Sequence, residues 1–459
     1  MGIHLLFLFI HITLAALNDP ILASIGFIVH CLVFVGQSVF SSGKSELTVM
    51  QPFALGAALV ALANAKMVYR INQYGVDPTS TYSYVSVRHI NEAIALWSIG
   101  STCIFIGYEL TKKRSFSKIS IYVKNEKVLN NIFKSVIILS LLNISGNIVN
   151  FGFISGGIQK VMSLYGEMSL LVFARLWGKT LKPKYRNYSL LLCVLQIITA
   201  LFTAYLRIQL LIPLLIIYGG YLIGVGKIKE VFSYRTLPMI AIFLIFFSMF
   251  GNLGANRSHF IDAFTTNIET QKASYSIDAV LNSDRNDALT RSSNVAQISN
   301  VFKLVDRNGF YNGEASLPIL YALIPRALWP EKPAIELGAW YALEIGVATI
   351  NSYGRANNSV NMSIPGELYL DFGWIGVVLG CMGCGSILAL FWNAGEFMAS
   401  PFNFTGALWG GYLLLFCMLG IGSDLQIFVT FTSTFLAFLI VKKIVSINAN
   451  TKHRSALAR

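Results

Sequence analysis

Apolar runs of about twenty residues recur along almost the whole chain, and this pattern limits the possible folds more than any other feature. In hydrocarbon, every backbone N–H and C=O group needs a partner within its own helix or within a closed barrel. Continuous apolar runs fit helices, because the strands of a membrane barrel alternate apolar and polar residues. With 55% hydrophobic and 12% charged residues among 459, a soluble globular fold is also excluded. The sequence predicts an all-α, polytopic membrane protein.

About twelve segments have the length and composition of a membrane-spanning helix. They lie at residues 2–17, 21–40, 51–69, 91–110, 131–153, 158–177, 188–206, 208–225, 237–254, 366–392, 402–418 and 421–441. The only long polar interval follows the ninth segment. We therefore expect nine spans in residues 1–254, one large loop in 255–363, and three spans with a tail in 364–459.

Clusters of lysine and arginine in the short loops predict the orientation, since these residues resist translocation. Each cluster follows an even-numbered span, so all are cytoplasmic at once if both termini are cytoplasmic. The clusters contain Lys112, Lys113, Arg114, Lys118, Lys124 and Lys127; Lys179, Lys182, Lys184 and Arg186; Lys227, Lys229 and Arg235; and Lys442, Lys443, Lys452, Arg454 and Arg459. The large loop is then exterior. The net charge of +13 belongs to these short loops, and no nucleic-acid partner is expected.

The large loop contains its own helical patterns. Asn294 and Gln297 resemble a capping box, and Gly309 is placed to end the helix that follows. The apolar residues between them share one helical face: Val295, Ile298, Val301, Phe302 and Val305. A second short helix fits residues 334–344. We therefore expect an ordered cap rather than a linker.

Five basic residues are candidates for binding a pyrophosphate group. Arg207 lies in the tight connection between the seventh and eighth spans, and the other four lie on the same predicted side: Arg257, Arg326, Lys332 and Arg355. Converging cations would bind a pyrophosphate and stabilise the charge that develops as it leaves. Alternatively, Arg207 contacts phospholipid headgroups and the other four are solvated loop residues.

Three further residues are candidates for proton transfer. His259 is the only histidine of the large loop, and is either a general base, a phosphate ligand or a surface residue. Glu367 and Asp371 lie one helical turn apart at the start of the tenth span. A carboxylate there can accept the proton of a sugar hydroxyl, or can simply stabilise the helix dipole. The loop contains no HExxH, Walker, GxSxG or DxD-like motif.

The layout and three sets of residues resemble the O-antigen polymerase family, the inner-membrane enzymes that join lipid-linked oligosaccharide repeat units. The layout is about twelve spans with one large late exterior loop. The residues are Arg207, the motif Ile-Pro-Arg-Ala-Leu-Trp-Pro-Glu-Lys-Pro at 324–333, and the paired motifs Pro-Gly-Glu-Leu-Tyr at 365–369 and Phe-Gly-Trp-Ile-Gly at 372–376. The resemblance covers mainly residues 200–380.

The resemblance implies a glycosyltransferase of the bacterial inner membrane that polymerises undecaprenyl-pyrophosphate-linked oligosaccharides into O-antigen, capsular polysaccharide or exopolysaccharide on the periplasmic face. It implies no nucleotide sugar, no cofactor and no metal, and a chain-length regulator protein as a partner besides the lipid bilayer. Arg207, with Arg257 or Arg326, would hold the departing pyrophosphate. Glu367 or His259 would activate the acceptor.

Three other functions remain open, of which a lipid-binding, non-catalytic partner of the assembly machinery is the least favoured. O-antigen ligases share this layout, but they are expected to carry a loop histidine late in the large loop, whereas His259 stands at its beginning. A repeat-unit flippase needs charged residues that line a cavity within the spans. Apart from Lys160 and Arg175, the predicted spans offer few.

Overall fold

The computed structural model of the chain describes most of the predicted helices. The described residues are 1–40, 48–76, 84–114, 118–123, 125–148, 156–203, 208–225, 293–322, 324, 329, 331, 337–350, 356–397, 399–400, 402–419, 425, 427–429, 431–436, 438–440 and 442–443. Within these ranges the chain forms helices and no β-strand, apart from two isolated bridges. The prediction of an all-α fold is therefore confirmed for this part of the chain.

Helices occupy the predicted apolar segments wherever the structure describes them. They are α1 (Gly2–Ala16), α2 (Pro20–Phe40), α3 (Met50–Tyr74), α4 (Ile90–Thr111), α5 (Glu126–Ile148), α6 (Gly156–Thr180), α7 (Pro183–Thr203), α8 (Ile208–Val225), α9 (Val295–Asn308), α10 (Leu317–Ala322), α11 (Leu337–Glu344), α12 (Ile364–Gly395) and α13 (Phe404–Leu419). The predicted ninth span, at 237–254, lies outside the described residues.

Five of the described helical segments are long and apolar enough to cross a membrane. They are Pro20–Gln37, Met50–Tyr74, Val87–Thr111, Glu126–Ser145 and Ile364–Gly395. Three shorter apolar helices accompany them at Gly2–Ala16, Ile212–Val225 and Ile427–Ile440. The number of twelve spans and the exterior position of the large loop remain predictions.

The chain divides into two compact units. The first contains Met1–Ser120, Thr290–Glu396 and Leu413–Arg459, and the second contains Ile121–Leu289 and Phe397–Tyr412. Each unit is therefore assembled from segments that are distant in sequence.

In the first unit, α4 and α12 pack at very short distance. A Cβ atom on Gly107 would lie 1.9 Å from the carbonyl oxygen of Met382, and one on Gly385 would lie 2.0 Å from that of Ile104. The Ser386 hydroxyl also donates a hydrogen bond to the carbonyl oxygen of Gly107, at 3.1 Å. Small residues thus allow the two backbones to touch, as is common between membrane helices.

The helix predicted near residue 295 is present as α9, and its apolar face is buried as expected. Gly309 ends it with a φ of +78°, and the Gly309 N–H donates to the carbonyl oxygen of Val305. The capping-box prediction is wrong, because the Asn294 side chain makes no capping bond to its own helix. Asn294 instead bonds to Asn64 of α3. The second predicted loop helix is present as α11.

The second unit is a helix bundle with its own close contacts. A Cβ atom on Gly178 of α6 would lie 2.2 Å from the carbonyl oxygen of Tyr221 of α8. Between α5 and α7, the Gln196 amide donates to the Ser140 hydroxyl at 2.9 Å. The buried Arg175 guanidinium stacks over the Phe397 ring, 4.5 Å from its centroid.

Candidate functional site

The beginning of α12 is a separate helical segment, residues 364–372, which we name the α12 arm. Gly373 interrupts the helix with φ +62° and ψ −153°, a conformation that glycine adopts at little cost. Cβ atoms on Gly376 and Gly380 would each lie 2.6 Å from Leu368, from its carbonyl oxygen and its side chain respectively. The arm therefore folds back along the rest of α12. The single span predicted at 366–392 consists of two helical segments joined by a sharp bend.

The start of the arm is fixed by local polar contacts. The Ser363 hydroxyl accepts a hydrogen bond from the Gly366 N–H at 3.4 Å, as an N-cap residue does. Ser363 has a φ of +67°, and its N–H donates to the Asn361 side chain at 2.6 Å. Pro365 lies in the first turn, where its missing N–H costs nothing. These contacts set the direction of the turn that carries Glu367.

Glu367 is buried in the first turn of the arm, with 1% of its surface exposed. Its Oε2 atom accepts a hydrogen bond from the backbone N–H of Leu425 at 2.9 Å. Burying a carboxylate requires such donors, and the positive end of a helix dipole adds to its stabilisation. Glu367 is therefore a carboxylate held in a defined position inside the first unit.

Asp371 is fully buried at the other end of the arm. Its carboxylate accepts hydrogen bonds from the N–H groups of Ala315 at 3.1 Å and Ser316 at 2.8 Å, and from the Ser316 hydroxyl. The Asn312 N–H donates to the Asp371 carbonyl oxygen at 3.0 Å. Asp371 thus anchors the turn before α10 to the bend. The two carboxylates contact different parts of the chain, although the helical spacing predicts one common side.

Aromatic residues enclose the bend of α12. A Cβ atom on Gly373 would lie 3.0 Å from the Phe310 ring, and one on Gly313 would lie 3.2 Å from the Phe372 ring. The Tyr369 ring packs against Phe302 of α9, with 4.3 Å between the ring centroids. The bend is therefore held by the loop that precedes it in sequence.

A buried polar junction joins α3 to the start of α9. The Asn64 Oδ1 atom accepts hydrogen bonds from the Ser293 hydroxyl at 2.9 Å and the Asn294 N–H at 3.1 Å. The Asn64 amide donates to Asn294 Oδ1 at 3.0 Å. Sequence reasoning missed this junction, although Asn64 is a polar residue within the apolar run 61–65 and offered a signal.

Two tyrosines hydrogen-bond to α9, Tyr341 through its hydroxyl and Tyr84 through its backbone carbonyl oxygen. The Tyr341 hydroxyl donates to the carbonyl oxygen of Gln297 at 2.5 Å, and burial raises the pKa of Tyr341 well above its usual value. Burial also raises the pKa of Tyr84 to about 12, and the Tyr84 carbonyl oxygen accepts a bond from the Asn300 amide at 2.7 Å. Tyr341 therefore links α11 to α9, and the backbone of Tyr84 links the segment before α4 to α9.

A small cavity lies beside the start of the arm. Ile364 and Pro365 line it together with apolar residues of α3, α4 and α12. Trp97 and Ser101 of α4 line it as well, and the Trp97 Nε1 and Ser101 Oγ atoms are buried without a hydrogen-bond partner among the described residues.

Six of the predicted site residues lie outside the described residues: Arg207, Arg257, His259, Arg326, Lys332 and Arg355. Their convergence remains a prediction. Within the described part of the chain, no group of three or more His, Cys, Asp or Glu residues is arranged to hold a metal ion.

Comparisons of this chain with protein families, with curated proteins and with solved structures find no match.

Proposed function

We propose that the protein is a membrane glycosyltransferase that polymerises undecaprenyl-pyrophosphate-linked oligosaccharide repeat units. The proposal rests on the resemblance to the O-antigen polymerase family in the motifs at 324–333, 365–369 and 372–376. A helical chain with several segments able to cross a membrane is compatible with a lipid-linked substrate.

One structural observation carries the proposal: the motif at 365–369 lies in the α12 arm, and the motif at 372–376 contains the bend that ends the arm. Pro365 begins the arm, Glu367 is its buried carboxylate, and Gly373 makes the bend. Gly376 leaves room for the backbone of Leu368. A motif that holds a carboxylate in a fixed, buried position suits transfer of a proton from an acceptor hydroxyl.

The reaction transfers a growing glycan from one lipid carrier to the next repeat unit. The bond between C1 of the donor sugar and the pyrophosphate oxygen breaks, and a bond forms between that C1 and an acceptor hydroxyl oxygen. In the proposal, Glu367 takes the proton of the acceptor hydroxyl. The undecaprenyl pyrophosphate leaves with the electron pair of the broken bond.

The basic residues would act on the leaving group. Arg207, with Arg257 or Arg326, would bind the departing pyrophosphate and offset its negative charge. Lys332 and Arg355 are further candidates for the same role. Asp371 would act as a positioning residue, because its carboxylate holds the loop against the bend.

Gel analysis of surface glycans tests this function in a strain that lacks the protein. We expect the strain to lose the ladder of long glycans and to retain single repeat units on its acceptor. The wild-type gene should restore the ladder, and Glu367→Gln should not. Glu314→Gln is the matched control, since Glu314 is an exposed carboxylate of the large loop, and it should restore the ladder.

One result would favour another function, and a second would exclude the proposed pyrophosphate site. Loss of the single capped units as well would favour a ligase or a flippase. Lipid-linked units would then accumulate on the exterior side for a ligase and on the cytoplasmic side for a flippase. Near-normal polymer from both Arg207→Ala and Arg326→Ala, at equal protein levels, would exclude the proposed pyrophosphate site.

A further inference from the structure

Three histidines form a buried chain between α1 and α2. His4, His11 and His30 are each at most 2% exposed. The Nδ1 atom of His4 lies 2.9 Å from Nε2 of His30, and the Nε2 atom of His11 lies 3.3 Å from Nδ1 of His30. His30 thus bonds to His4 through one ring nitrogen and to His11 through the other.

This arrangement does not suit a metal ion. A metal site needs one nitrogen of each ring directed at a common point. His30 directs different nitrogens at His4 and His11, so the three rings are in line rather than convergent. The Phe7 ring stacks on His30 at 4.4 Å and the Phe105 ring stacks on His4 at 5.1 Å, which adds an apolar wall around the chain.

A polar stripe on α4 runs beside the histidines. Asn91, Ser98, Thr102 and Glu109 are spaced by seven, four and seven residues, which places them on one face of the helix. The Asn91 amide donates to the carbonyl oxygen of Ala15, and the Thr102 hydroxyl lies 3.5 Å from Nδ1 of His30. The three histidines and the polar stripe therefore form one line of polar groups through the apolar helices α1, α2 and α4.

Both ends of this line reach exposed groups. At one end, the Glu109 carboxylate bonds to the Lys112 ammonium at 2.6 Å and lies 3.5 Å from the amino group of Met1. At the other end, Asn91 bonds to the exposed Asn18 at 2.5 Å. Asn91 and Glu109 are roughly 27 Å apart along α4 at 1.5 Å per residue, close to the thickness of a bilayer core.

Three buried polar atoms on the line have no hydrogen-bond partner within the described part of the chain. They are Nδ1 of His11, Oγ of Ser98 and Oδ1 of Asn91. His11 precedes Ala15 by one helical turn, and Ala15 accepts the bond from Asn91. Buried polar atoms of this kind are commonly satisfied by ordered water. Water at these atoms would connect His11 to Asn91.

We propose that this line is a proton path through the first unit. Histidine chains within membrane helices are a known form of proton relay, because neutral imidazole both accepts and donates a proton. The groups that face the path from the surrounding helices are Glu109, Lys112 and the Met1 amino group. The transported species is the proton, and the path needs no other ligand.

Transfer along the rings conserves protons at every step. A proton binds Nε2 of His4, and the Nδ1 proton of His4 passes to Nε2 of His30. The Nδ1 proton of His30 passes to Nε2 of His11, and the Nδ1 proton of His11 leaves to water. After the transfer each ring is in its other neutral tautomer, and reorientation of the rings restores the starting tautomers.

Proton uptake by vesicles tests the path with the full-length protein. The purified protein is reconstituted into phospholipid vesicles that enclose a pH-sensitive dye, and a potassium gradient with valinomycin drives protons inward. The wild-type protein should acidify the interior faster than protein-free vesicles do. His30→Phe should reduce the rate to that of protein-free vesicles.

A second variant separates a relay from simple helix packing, because hydrogen bonds between helices also stabilise bundles. Glutamine at position 30 can accept and donate hydrogen bonds but cannot pass a proton through its side chain. His30→Gln should keep the fold, measured by its elution and thermal midpoint, and should lose proton uptake. Cys31→Ala, at a buried neighbour on α2, should keep the wild-type rate.

Either of two results would overturn the proposal. One is a wild-type rate equal to that of protein-free vesicles. The other is a His30→Gln rate equal to the wild-type rate, which would assign the histidines to helix packing alone.

Discussion

Ser316 donates two hydrogen bonds to the Asp371 carboxylate, one from its backbone N–H at 2.8 Å and one from its hydroxyl. Ala315 adds a third bond at 3.1 Å. These bonds connect the turn before α10 to the end of the α12 arm. Since Glu367 lies on the same arm, the position of the turn and the position of the proposed base are structurally linked.

Replacement of Asp371 should destabilise the fold. Asp371→Asn places an amide N–H₂ group against donors, and we expect a loss of about 2 kcal/mol, because hydrogen bonds to a charged group contribute roughly 1.5–3 kcal/mol. Ser316→Ala removes only the hydroxyl bond and should cost less. Thermal midpoints of the detergent-purified variants measure both effects. Equal midpoints for Asp371→Asn and the wild type would contradict the anchoring role.

The bend at Gly373 should not tolerate a side chain. Gly373→Ala forces alanine into a conformation with φ +62° and ψ −153° that is almost confined to glycine, which costs about 1–3 kcal/mol, and its Cβ would also press on Phe310. Gly383→Ala is the matched control, because a Cβ on Gly383 meets nothing within 4 Å. We expect a lower thermal midpoint for the first variant only. If Gly373→Ala and Gly383→Ala have the same thermal midpoint, the bend does not depend on glycine.

The ion pair between Lys118 and Glu396, which lies just after α12, should make the stability of the fold depend on pH. Lys118 bonds to Glu396 at 2.5 Å and the Ser120 hydroxyl bonds to it at 2.7 Å, and these bonds hold the pKa of Glu396 below its ordinary value of 4.5. A lowered carboxyl pKa stabilises the fold above the ordinary value, and this stabilisation is lost as pH falls through the lowered pKa.

Thermal unfolding across the acid range measures this dependence. Glu396→Gln should unfold at a lower temperature than the wild type at neutral pH, and the difference should shrink as pH falls below 4.5. The exposed Glu314→Gln variant is the control and should parallel the wild type throughout. If the difference in unfolding temperature between Glu396→Gln and the wild type stays constant down to the most acid pH, the ion pair of Lys118 and Glu396 is not the source of that difference.

Local sequence signals predicted the described helices well. The length of each apolar run set the bounds of helices such as α4, predicted at 91–110 and observed at Ile90–Thr111. The face of α9 followed from its helical period, and Gly309 marked its end. These features depend on residues that are close in sequence.

Features that depend on distant residues were not predicted. The run at 366–392 gives no sign that the chain reverses at Gly373, because the bend is held by Phe310 and by contacts of Leu368. Asn64 and Asn294 are far apart in sequence, so periodicity cannot pair them. The predicted convergence of Arg207 with Arg326 is a similar long-range claim, and both residues lie outside the described part of the chain.

Polymerisation by the purified protein is the most direct test of the central claim. The detergent-purified protein is incubated with undecaprenyl-pyrophosphate-linked repeat units, and the glycan length and the released undecaprenyl pyrophosphate are measured together. We predict chains of several units, with one carrier released for each bond formed, and no product from Glu367→Gln. Repeat units that remain single with the wild-type protein, or equal polymer from Glu367→Gln, would contradict the account.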